Sequence, residues 1–186
     1  IRLQVLIINR YIAFLRGVNV SGKNKVAMSE LKKQMSEYGF SDVATYLNSG
    51  NVIFSCDNND EIFISDKIKS LIFSVFMIDI PVFVILQAEL TDILSHSPDW
   101  WGDDNKEIYD NLIFIIPPAT YNDIYQAIGE PKDGLEKIEA YKNVIFWSFS
   151  RKDYQKTNWW SKTAAPGIGE KLTIRTANTL RKISSM

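Results

Sequence analysis

The chain has one cysteine and one histidine among its 186 residues. Cys56 alone cannot form an intramolecular disulfide. That suits a reducing compartment and points to the cytoplasm. Cys56 and His96 together cannot supply a structural zinc site, so no metal is expected. No apolar run reaches the ~18 residues that a membrane-spanning helix needs, and no membrane partner is expected. No nucleophile elbow and no Ser-His-Asp set can be assembled. The sequence therefore names no catalytic residue and implies no cofactor, and it leaves open whether the protein is an enzyme. His96 reads as a helix terminus in "LSHSPDWW", and Cys56 as a small apolar filler.

What is present is the balance of an ordinary globular protein, with 46% hydrophobic and 23% charged residues. The length suits one large domain or two small ones. Charge is uneven. Residues 1–136 carry 11 Lys+Arg against 19 Asp+Glu, whereas residues 137–186 carry 10 against 3. A basic end of this kind suits a polyanion, or equally the acidic remainder of the same chain or of a second copy. The opening "IRLQVLIINR" is too short in its apolar part and too poorly flanked for a signal peptide. Residues 1–8 read as an extension, with an extra edge strand as the alternative.

Periodicity sets out the elements. "YIAFLR" (11–16) reads as a strand. Met28, Leu31, Met35 and Tyr38 recur at helical spacing, and Gly39 ends that helix with Phe40 placed to pack back on it. "DVATYL" and "NVIFS" read as strands around an "NSG" turn. Asn58 to Asp60 can cap a helix striped by Ile64, Ile68, Leu71, Ile72 and Val75. "PVFVIL" closes the unit, with Pro81 suited to an edge. The order strand, helix, strand, strand, helix, strand is that of a ferredoxin-like unit. After a helix at 88–95 and a loop at 98–105, the order repeats. "NLIFII" (111–116) is a strand, and Thr120 with Asp123 can cap a helix. "LEKIEAY" and "VIFWSFS" pair around Lys142-Asn143, 153–162 reads as a helix, and "KLTIR" as a last strand before a terminal helix. The expected fold is α+β, two ferredoxin-like (βαββαβ) units in tandem plus a C-terminal helix. The units span 9–87 and 109–186, joined by a linker at 88–108.

"RGVNVSGKN" (16–24) has the glycine and lysine spacing of a phosphate-binding P-loop, but Asn24 stands where Ser or Thr would hold Mg²⁺. The helical stripe begins only at Met28, so Lys23 and Asn24 fall in loop. A different role follows from topology. In a split βαβ unit the loop after the first strand and the second hairpin share one end of the sheet. That edge gathers Arg16, Asn19, Lys23 and Asn24 with Ser49 and Asn51, a set able to bind a small anionic or polar ligand. The same residues equally suit left-handed turns and loop-closing hydrogen bonds.

A second candidate surface lies near the C-terminus. Lys156, Trp159, Trp160, Lys162 and Arg175 interleave basic and aromatic residues, as a single-stranded nucleic-acid site would. Tryptophans packed inside, with lysines in water, fit the pattern as well. Tyr11, Phe14 and Phe54 lie on strands whose aromatics stack bases in RNA-recognition modules, but the signature of those modules is missing and the three read as core. Asp103, Asp104 and Asp110 read as a solvated acidic loop.

Residues 11–55 resemble an uncharacterised bacterial family, domain of unknown function 1697. The resemblance rests on Arg16-Gly17-Val18-Asn19-Val20, Gly22-Lys23-Asn24, Thr45-Tyr46 and Ser49-Gly50-Asn51. It continues through Pro98, Trp100 and Trp101 and through "KLTIRTANTLRKI". The family usually has Asn after its C-terminal Thr-x-Arg, and Thr176 stands there in this chain. The resemblance implies an α/β fold and brings no established activity.

Overall fold

The structure, a computed structural model, describes residues 8–186. The N-terminal extension expected at 1–8 lies outside the described residues except for Ile8. The chain divides into two compact units within a helix, between Thr91 and Asp92. Among the described residues it holds two four-stranded antiparallel sheets and six α-helices, an α+β architecture.

Unit 1 runs β1 (Asn9–Leu15), α1 (Met28–Glu37), β2 (Ser41–Tyr46), β3 (Asn51–Cys56), α2 (Glu61–Phe76), β4 (Val82–Leu86) and into α3 (Gln87–Ser95). Its sheet order is β2-β3-β1-β4. The helical stripes form as their spacing requires. Leu31 and Met35 from α1 and Ile64, Ile68 and Ile72 from α2 bury against Tyr11, Ala13, Leu15, Val52 and Phe54 of the central strands. α1 ends where glycine allows it. Gly39 takes φ +99°, and the Phe40 N–H returns to Met35 O at 3.1 Å. Asp60 caps α2 by accepting from the Phe63 N–H at 3.0 Å. Tyr38 of the expected stripe is instead the C-cap, largely exposed.

Unit 2 repeats the order with β5 (Ile108–Ile115), α4 (Tyr121–Ile128), β6 (Glu136–Tyr141), β7 (Val144–Ser150), α5 (Trp159–Lys162), β8 (Leu172–Thr176) and α6 (Ala177–Ile183). Its sheet order is β6-β7-β5-β8. Ile113, Ile115, Ile145, Trp147 and Phe149 pack under Ile124, Ile128 and Trp159. Thr120 and Asp123 form a reciprocal capping box at the start of α4.

Two expectations need correction here. The segment 153–162 is not one helix. It breaks into a 3₁₀ turn at Tyr154–Lys156 and the single turn of α5, with extended Thr157 between. The cause is a bond from outside the segment. The Glu136 carboxylate accepts from the Asn158 N–H (2.6 Å) and the Trp159 N–H (3.3 Å), so the chain must restart there. Secondly, β5 begins before Asn111, and so takes Asp110 out of the loop. Asp110 is a buried strand residue, while Asp103 and Asp104 are exposed.

Candidate functional site

The loop after β1 and the β2–β3 turn lie side by side. The Leu15 N–H donates to Gly50 O at 2.8 Å, and Asn19 Nδ2 donates to Asn48 O at 2.8 Å. The approach is close because residue 50 has no side chain: a Cβ there would lie 2.6 Å from Leu15 Cβ and 2.7 Å from Val18 Cγ2.

The loop itself is a miniature hairpin. The Asn19 N–H donates to Asn24 O (3.1 Å), and the Lys23 N–H donates to Val20 O (2.9 Å). Ser21 and Gly22 at its tip have φ +50° and +75°, the left-handed pair of a type I′ turn. Gly17, Asn19 and Asn24 are left-handed too. This settles the P-loop resemblance geometrically. Gly22 and Lys23 sit on a hairpin tip, and α1 starts only at Met28, so no helix terminus faces the glycine loop.

The side chains divide into two groups. Asn19 is a clamp: Nδ2 donates to Val26 O (2.9 Å) as well as to Asn48 O, and Oδ1 accepts from the Val26 N–H (2.9 Å). Asn24 Nδ2 donates to Gly17 O at 3.1 Å. Asn51 is fully buried, and its Nδ2 donates to Tyr46 O (2.9 Å) and Ser49 Oγ (3.1 Å). Arg16, half-buried, directly follows β1 and its N–H donates to Pro81 O at 3.0 Å. Lys23 and Lys25 are exposed, and neither has an ion pair among the described residues. A shallow depression of about 490 Å³ is lined by Asn19, Gly22, Lys25, Val26, Met28 and Asn48 among others.

The C-terminal candidates do not form one surface. Trp159 is fully buried, and its Nε1–H donates to Gly129 O at 3.1 Å. Arg175 is also buried, donating to Thr173 Oγ1 at 3.1 Å. Lys162 Nζ donates to Ile128 O at 2.8 Å, and Lys156 pairs with Asp153 at 2.8 Å. Trp160 is the exposed aromatic of the set, edge-on to Tyr154 with ring centres 4.7 Å apart. Tyr11, Phe14 and Phe54 are core residues. Tyr11 stacks on Phe54 at 5.9 Å, and Phe14 on Phe83 at 6.5 Å.

One buried polar residue escaped the sequence reading and another was misplaced by it. Glu136 is buried and collects N–H donors from Lys132, Trp147, Asn158 and Trp159. Asp110 is buried and accepts from the Ser148 hydroxyl. For Asp110 a signal existed. A carboxylate preceding "NLIFII" at the strand period of two falls on the same face as Leu112 and Phe114. For Glu136 there was none, since its partners come from three separate segments.

The geometry defines an α+β protein of two four-stranded antiparallel sheets with a clamped, left-handed loop at one sheet edge. The chain belongs to the family described as protein of unknown function (DUF1697), whose model matches residues 8–146. It is similar in structure to the conserved bacterial protein SP0830 from Streptococcus pneumoniae, with a TM-score of 0.82 and 26% identity, over 96% of this chain and 98% of that one. No curated protein matches the chain. The residue at which the family pattern is broken has a local role. Thr176 is the N-cap of α6, accepting from the Thr179 N–H at 3.4 Å. Asn and Thr are both good N-caps, so the exchange keeps the cap.

Proposed function

We propose that this protein binds a small anionic or polar molecule at the edge formed by residues 16–24 and 48–51. One observation carries the reading. The loop holds Asn19, Ser21 and Asn24 in left-handed backbone, a conformation that asparagine tolerates and that costs a residue such as Ser21 about 1 kcal/mol or more. Its amide side chains are committed to holding that shape, and Lys23 and Lys25 are left exposed beside it. A connection between strand and helix needs none of this. A rigid loop that carries two exposed ammonium groups suits an anion.

We also infer that each sheet with its helices is a ferredoxin-like unit, the two in tandem over 9–87 and 109–186 with 88–108 between. The support is the shared βαββαβ order and the equal strand orders. The lone Cys56 suits a cytoplasmic site of action.

The test is a thermal-shift screen of the full chain against nucleotides, sugar phosphates and cofactors. A ligand at ~100 times its dissociation constant adds ~2.7 kcal/mol. Lys23→Ala and Lys25→Ala together should change stability by no more than about 0.5 kcal/mol and abolish the shift. Arg16→Lys should also abolish it, because lysine cannot copy a guanidinium fork. A ligand whose shift survives all three changes sinks the assignment. Salt-sensitive binding of single strands, lost on Trp160→Ala, would instead favour a nucleic-acid protein.

A further inference from the structure

We propose that unit 2 holds a second small-molecule site, above Asp110, that takes a small organic cation, an ammonium group attached to an aromatic body. It is independent of the edge in unit 1. The site is built on the carboxylate of Asp110, 8% exposed on β5. Its Oδ1 accepts from the Ser148 hydroxyl on β7, directly across the ladder. Among the described residues Oδ2 accepts from nothing, and no Lys or Arg forms an ion pair with Asp110. Yet no sealed polar side-chain atom among the described residues lacks a partner. Oδ2 therefore lies at an accessible wall, and a cavity of about 350 Å³ is what it borders.

The chemistry of that wall selects a cation. Asp103 and Asp104 also line it. Lys106 and Arg151 line it too, so its carboxylates outnumber its cations three to two, and Arg151 is held by neighbours on the same wall. Its guanidinium lies 3.8 Å over the Tyr109 ring, and Nε donates to Ile108 O at 3.4 Å. A largely buried carboxylate with no ion pair of its own is unfavourable, and a bound ammonium supplies both charge and donors. A metal ion is a poor fit, because no three His, Cys, Asp or Glu side chains among the described residues come together to ligate one. The body of the ligand follows from the neighbouring space. A second cavity of about 340 Å³ is lined by Trp100, Leu135 and Phe149, and it shares Ile108 with the first. Ser148 lies on its wall, so the Asp110–Ser148 pair stands where the two cavities meet. An amine over Asp110 thus places an attached ring toward Trp100.

The test uses benzylamine and its uncharged counterpart benzyl alcohol, each titrated into the full chain and followed by amide NMR. Benzylamine should shift the Asp110, Ser148 and Asn178 resonances saturably, and benzyl alcohol at equal concentration should not. Asp110→Asn, which keeps an acceptor for the Ser148 hydroxyl, should weaken benzylamine at least tenfold. Lys23→Ala should leave it unchanged, so that the two sites fail separately. Equal shifts from both probes, no saturable shift from benzylamine, or undiminished binding to Asp110→Asn would each overturn the proposal. The comparison of amine with alcohol on the parent chain needs no variant to fold.

Discussion

Arg10 and Asp110 stand at matched places in the two sheets. Leu15 pairs with Val82 at the start of β4, and Ile115 with Leu172 at the start of β8. Counting back equally along β1 and β5 reaches Arg10 and Asp110. Their partners across the ladder are both serines, Ser55 and Ser148. In unit 1 Arg10 Nη1 donates to Ser55 Oγ (3.3 Å) and to Asp42 O (2.7 Å). In unit 2 the serine hydroxyl donates to a carboxylate. One frame thus carries opposite charges at one point, and the hydroxyl reverses its role to suit. Unit 1 satisfies its charge with its own backbone, whereas unit 2 leaves a carboxylate oxygen at a cavity. The connections differ the other way. In unit 1 the path from β1 to α1 takes residues 16–27 and folds into a hairpin of its own, whereas from β5 to α4 it takes only 116–120. Each unit is elaborated where the other is plain, so a shared fold does not imply shared sites.

The largest effect expected is on unit 2. Glu136→Ala leaves N–H donors from four residues without their acceptor, two of them on buried tryptophans. Loss on the order of 4 kcal/mol should appear in urea unfolding, since each orphaned buried donor costs about 1–3 kcal/mol. A loss below about 1 kcal/mol would show that the segment 153–162 holds its broken shape without Glu136.

In unit 1 the packing of hairpin against loop should give the next largest change. Gly50→Ala meets both a left-handed φ of +85° and side-chain carbons closer than 3 Å, so about 3 kcal/mol is expected. Gly22→Ala has a similar φ of +75° and open space, and should cost only about 1 kcal/mol. Equal losses would mean that the close approach at Gly50 is not what holds the edge together. Asn19 sharpens the point. Asn19→Ala loses three hydrogen bonds and a tolerant left-handed residue, while Asn19→Gly loses only the bonds. The alanine variant should be less stable by about 1 kcal/mol, and identical melts would remove backbone strain from the account of this loop.

Much of this was legible in the sequence, and what was hidden had a common cause. The stripes of α1 and α2, the Gly39 stop and the Thr120–Asp123 cap are local signals, readable within a few residues. Topology alone brought 16–24 next to 48–51. It could not say which of those residues were structural, and Asn19, Asn24 and Asn51 turned out to be committed to backbone groups that only folding brings near. The break at Thr157 was hidden for the same reason, because a β6 carboxylate overrides a helical pattern from a distance in sequence. Asp110 was misplaced by an error of boundary. Starting the strand at Asn111 left it in the acidic loop, whereas the period of two, extended backward, would have put it on a buried face.

The smallest effect expected is at the cap of α4, and pH reads it. At α4 the Asp123 carboxylate accepts from both the backbone N–H and the hydroxyl of Thr120, each at 2.8 Å. These bonds, the backbone one first, hold its pKa below the usual carboxylate value against an opposing loss of solvation, and Lys171 adds a lesser lowering. A carboxylate depressed in the folded state contributes stability that is fully present above its unfolded value, about 3.9. That contribution is lost as pH falls through the folded value, where both states take up the proton. Asp123→Asn keeps a side-chain oxygen and removes the charge. The parent should therefore exceed the variant in stability at pH 6, and the gap should narrow steadily below about pH 4. Urea midpoints of the two proteins, compared from neutral pH down to the acid limit of folding, measure the gap directly. A gap that stays constant would assign the cap to the Thr120 hydroxyl bonding the Asp123 N–H at 3.3 Å, with no part for the carboxylate charge.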